Sequence, residues 1–84
     1  MEKHIILGIH ITDRLKKVAD VQRLFSEYGC NIKTRLGLHE VQNVCSPNGL
    51  VLLEMHGEDQ TCFDLADKLA AIEGIEVQKM VFTH

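Results

Sequence analysis

The chain has 84 residues, of which 45% are hydrophobic and 25% charged, with a formal net charge of -3 at pH 7. A slightly acidic chain argues against a free-standing nucleic-acid binder, which needs a clustered positive surface. No run approaches the ~18 consecutive apolar residues of a membrane span.

Residues 1–84 are expected to form a single domain. A chain this size buries only about 60% of its unfolded surface, so a partner subunit would help it. The cysteines Cys30, Cys45 and Cys62 are scattered and have no C-x-x-C spacing. They do not suggest a disulfide framework, and they fit a reducing cytoplasm.

The start, Met1 to Ile9, contains an apolar run that is short, is interrupted by His10, and precedes no small-residue cleavage site. It reads as a buried strand rather than a signal sequence. Ile5 to Ile11 is the first predicted strand, rich in β-branched residues. Thr12 and Asp13 are N-cap types. The helix that follows carries Leu15, Val18, Val21 (or Gln22), Phe25 and Tyr28 along one stripe. Gly29 is expected to end it in a left-handed conformation.

Cys30 to Glu40 resumes as a second strand with Ile32, Leu36 and Leu38 as its apolar members, and Lys33 and Arg35 on one face. Ser46-Pro47-Asn48-Gly49 reads as a turn. Gly49 to His56 is the third strand, broken by Gly57-Glu58-Asp59. Asp59 or Thr61 caps a second helix, with Cys62, Leu65, Ala66, Leu69 and Ile72 on one face. Gly74 ends that helix, and Ile75 to Thr83 is the fourth strand. Cys30 and Cys62 read as small core residues, and Cys45 as a loop thiol.

The order β-α-β-β-α-β predicts an α+β, ferredoxin-like fold. Its four-stranded antiparallel sheet has the order 4-1-3-2, with two helices on one face. Two helices shield only one side, yet the central strands are apolar on both. Ile5, Leu7, Ile9 and Ile11 oppose Ile6 and Gly8; Val51, Leu53 and Met55 oppose Leu50 and Leu52. The second face would leave Ile6, Leu50 and Leu52, with members of the second strand, in water. Such a patch predicts self-association, most simply a two-fold dimer.

Arg14, Lys16 and Lys17 in the first helical turn read as a solvated charged face. The topology places His4 and His56 at one end of the sheet, with His84 near that edge. His10 and His39 lie at the other end, with Cys45 on a nearby loop. Either set could hold Zn or Ni, although neither has a local ligand signature and no metal is assigned. No nucleophile motif, phosphate loop or carboxylate pair points to an enzyme, and no cofactor is implied.

The segments Thr12 to Val21 and Leu24 to Ile32 resemble the opening of ACT domains, small ligand-sensing modules with a ferredoxin-like fold. Gly49 to Gly57, Leu65 to Leu69 and Glu73 to Val77 are also similar to the C-terminal domain of nickel-responsive repressors. In length and pattern the chain resembles stand-alone, ACT-like proteins termed iron-only hydrogenase system regulators. The likeness implies a cytoplasmic, homo-oligomeric regulator of transcription or metabolism without its own DNA-binding element. It implies a small-molecule effector held at a subunit interface by Thr12, Asp13, Arg14 and, from a neighbour, Asn31. A metal-binding sensor using the clustered histidines is the alternative.

Overall fold

The computed structural model describes residues 3–12, 14–38 and 49–83, apart from the side chains of 14–18 and 38. The elements are β1 (His4–Ile11), α1 (Arg14–Glu27), β2 (Ile32–Leu38), β3 (Gly49–Met55), α2 (Asp59–Ala70) and β4 (Ile75–Phe82). A short 3-10 turn, Gly29–Asn31, joins α1 to β2. All strand pairs are antiparallel in the order β2-β3-β1-β4, the arrangement the element order predicts.

The core forms where the period of 2 in the strands meets the period near 3.6 in the helices. Ile5, Leu7, Ile9 and Ile11 of β1, with Leu53 and Met55 of β3, are buried beneath both helices. From α2 come Cys62, Leu65, Ala66 and Leu69; from α1 come Val21, Leu24 and Phe25. Each large apolar side chain so buried contributes about 1.5–3 kcal/mol. Arg35 of β2 also lies on this side, its guanidinium 4.8 Å from the Phe25 ring centroid.

Local details depart from the sequence expectations. Positive φ occurs at Gly57 (99°) and Gly74 (86°), and Gly29 does not adopt it. Helix α1 instead runs out through Tyr28 into the 3-10 turn, which carries Cys30 to the surface and not into the core. Helix α2 starts one residue early. Its N-cap is Glu58, which makes no side-chain cap. Asp59 sits inside the first turn, where a negative charge suits the helix dipole. Its Oδ1 accepts a 2.9 Å hydrogen bond from the Lys3 backbone N–H, fastening the helix start to the entry of β1.

A register shift between Ile32 and Thr34 places Lys33 as the extra residue of a β-bulge. The bulge breaks the strict alternation on which the expectation that Lys33 and Arg35 share a face depended. Arg35 covers Phe25 on the helix side.

Candidate functional site

Strand alternation and register determine what the helix-free face presents. One row across the sheet is Thr34, Glu54, Ile6 and Met80; the next is Leu36, Leu52, Gly8 and Gln78. A third runs through Leu50, His10 and Glu76, and Phe82 stands opposite His4 beyond the first row. Leu36, Met80 and Phe82 are each about half exposed (52%, 48% and 51%), and Leu50 is 36% exposed. Ile6 and Leu52 are half-buried by these neighbours. Ile6, Leu50 and Leu52 therefore stand where the alternation of β1 and β3 puts them. Met80 and Phe82 were missed; extending the alternation into β4 would have found them, because β4 lies beside β1.

One corner of this face is polar and ordered. Glu54 Oε2 accepts from His4 Nε2 at 2.9 Å, and its Oε1 accepts from Thr34 Oγ1 at 2.9 Å. These bonds, His4's foremost and then Thr34's, hold the Glu54 carboxyl below the usual glutamate range; desolvation opposes them, and the charge of Lys33 adds a lesser lowering. The His4 ring also lies 5.9 Å from that of Phe82, at a tilt of 45°.

At the centre, Gly8 leaves the floor of a depression of about 400 Å3. Leu50, Leu52 and Met80 provide its apolar walls, and His10, Glu76 and Gln78 its polar side. Gln78 Nε2 donates to Glu76 Oε2 at 3.4 Å. A Cβ built on Gly8 would meet Leu52 Cδ2 at 3.7 Å and the Gln78 carbonyl at 3.8 Å, both ordinary contacts. The chain's own packing therefore does not require glycine there.

Of the residues implied by the ACT likeness, Thr12 and Asn31 are not brought together within one chain. Thr12 follows the C-terminal end of β1, where its backbone N–H donates to the Gly74 carbonyl at 2.8 Å. Asn31 precedes β2 at the other end of the sheet, beside His56. At ~3.4 Å per strand residue the two are separated by roughly 20 Å, so a joint site needs a second copy. Asp13 and the Arg14 side chain lie outside the described residues, as do the side chains of Lys16 and Lys17.

The histidine sets fare similarly. His39, Cys45 and His84 lie outside the described residues. Among the described residues no three His, Cys, Asp or Glu side chains converge on a metal-sized site. His4 is engaged by Glu54, and the His56 backbone by Asn31. No described helix is long and apolar enough to cross a membrane.

No protein-family model and no curated protein matches the chain. Among solved structures it is similar to an uncharacterized protein of Thermotoga maritima, with a TM-score of 0.80 and 27% identity, over 95% of this chain and 98% of that one. It is also similar to part of a formyltetrahydrofolate deformylase from Pseudomonas putida KT2440, with a TM-score of 0.60 and 19% identity. That match takes in 96% of this chain but 29% of the deformylase. The second likeness is one of fold.

Proposed function

We propose that this chain is a small ligand-sensing regulatory domain that works as a homo-oligomer, not as an enzyme. It acts in the cytoplasm. Control of transcription or metabolism would pass through a bound effector and a protein partner. The observation that carries the reading is the helix-free sheet face, where Leu36, Leu50, Met80 and Phe82 are exposed around the half-buried Ile6 and Leu52. An antiparallel sheet whose second face meets water normally alternates to polar residues there. An apolar face of this kind, rimmed by the polar groups of Glu54, Glu76 and His10, has the composition of an interface. The ACT resemblance supports a sensing role. So does the similarity to part of the deformylase, which places a unit of this fold within a longer protein.

Sedimentation velocity at micromolar concentration, paired with thermal-shift titration of amino acids and nucleotides, tests the proposal. The expected result is a dimer or larger assembly whose melting temperature rises with one ligand class. A strictly monomeric chain with no ligand-induced shift would overturn it.

A further inference from the structure

We infer that the Gly8 depression is the ligand seat of this domain, and that it takes a small molecule combining an apolar ring with an amine or amidine cation. The inference rests on the sensing role proposed above but not on self-association. Three observations carry it.

The first is the glycine. A glycine inside a central strand costs backbone entropy that alanine would not. Gly8 has no positive φ to justify that cost, and its own chain leaves ordinary room for a Cβ. A strand glycine of this sort marks the close approach of something else.

The second is shape. About 400 Å3 falls at the lower end of small-molecule sites. The walls formed by Leu50, Leu52 and Met80 suit one flat or compact ring.

The third is charge. Glu76 is the acidic group of the lining, and the Gln78 amide donates to its Oε2. The opposite register position on β1 is His10. A carboxylate beside an apolar floor recognises a donor-bearing cation by charge-assisted hydrogen bonding and disfavours an anion.

The seat is open in a single chain. A second copy laid across the face would roof it, so a ligand that binds the roofed form more tightly would drive association by mass action.

The probe is phenethylamine, with 3-phenylpropionate as its anionic counterpart, titrated into uniformly 15N-labelled protein. The amine is expected to move the amide resonances of Gly8, Leu52 and Gln78, and the acid to bind at least about tenfold more weakly, one charge-assisted bond's worth. E76Q should erase most of that difference without altering the rest of the spectrum. Gly8→Val, whose side chain enters the depression, should abolish binding of both compounds. Equal affinities for the two compounds, shifts confined to other regions, or no saturable shift would overturn the inference. Sedimentation of the same samples keeps the two ideas separate. An assembled protein blind to the amine sinks the seat alone, and a monomer that binds it sinks the oligomer alone.

Discussion

Asn31 and His56 hold one another through two hydrogen bonds. The His56 backbone N–H donates to the Asn31 carbonyl at 2.7 Å, and Asn31 Nδ2 donates to the His56 carbonyl at 3.0 Å. The pair clamps the turn before β2 to the end of β3. Gly57 sits directly against it, at φ 99°, and a Cβ there would lie 2.6 Å from Asn31 Nδ2. The residue that family likeness marks as an effector contact thus already has a structural task.

Replacing Gly57 by alanine combines a left-handed backbone with a steric conflict. Gly57→Ala is expected to cost about 1–3 kcal/mol, and Asn31→Ala about 0.5–1.5 kcal/mol from the lost hydrogen bond. Urea denaturation reads both. Because Asn31→Ala also removes the atom that a Gly57 Cβ would strike, the double variant should lose less than the sum of the singles, a coupling that a double-mutant cycle measures.

Leu36 is half exposed in a single chain and makes no part of the buried core. Leu36→Glu should change the stability of the isolated subunit by no more than about 0.5 kcal/mol. If the helix-free face is where copies meet, the same change raises the dissociation constant at least about tenfold by burying a charge. Concentration-dependent sedimentation of both proteins, with urea midpoints at low concentration, separates the two effects.

The fold was legible because each helix has one apolar stripe and each strand alternates. Leu65, Ala66 and Leu69 fall into the core for the reason their spacing gives. What escaped the sequence depended on single backbone choices. Gly29 and Gly74 look alike as helix terminators, yet only Gly74 turns left-handed, because α1 leaves through a 3-10 turn and α2 does not. That turn exposes Cys30, while its counterpart Cys62, inside a regular helix, is buried. The bulge at Lys33 was equally invisible, since an extra strand residue changes the register without changing composition. The open face was half legible: Ile6, Leu50 and Leu52 followed from β1 and β3 alone. The Gly8 depression required the register of three strands together.

Glu54 gives the protein an acid-sensitive corner. Its carboxyl titrates below the ordinary value of 4.5 because the folded chain stabilises the ionised form. The sign follows: this contribution to stability is complete above the ordinary value and disappears as pH falls through the lowered one. Glu54→Gln should therefore lower the urea midpoint at neutral pH, and the gap from the unaltered protein should close as the solution is acidified. A gap independent of pH would show that the His4 and Thr34 bonds do not favour the carboxylate.

Leu52 and Leu53 are neighbours in sequence and opposites in environment. Leu53 is fully buried in the core on the helix side of the sheet, and Leu52 looks onto the open face. Leu53→Ala should cost about 2–5 kcal/mol by opening a cavity in the core. Leu52→Ala removes side-chain volume at an open surface, where solvent fills the space, and should cost markedly less. Denaturation of both variants under conditions where the protein is monomeric makes the comparison. Equal costs would mean that both faces are packed within one subunit, and the basis for self-association would go with them.

Thiol reactivity gives an independent reading of the turn after α1. Cys30 is exposed on the 3-10 segment, whereas Cys62 is 1% exposed, with its Sγ 3.9 Å from the His56 carbonyl. Alkylation by iodoacetamide requires the sulfur to be reached as well as ionised. Peptide mapping should find Cys30 modified in the native protein and Cys62 modified only as fast as the chain opens, with Cys62 labelling accelerating in urea in parallel with global unfolding. If Cys62 labels in native buffer at the rate of Cys30, the α2 seam is not closed, and the turn anchored by Asn31 and His56 is not holding the end of β3 against it.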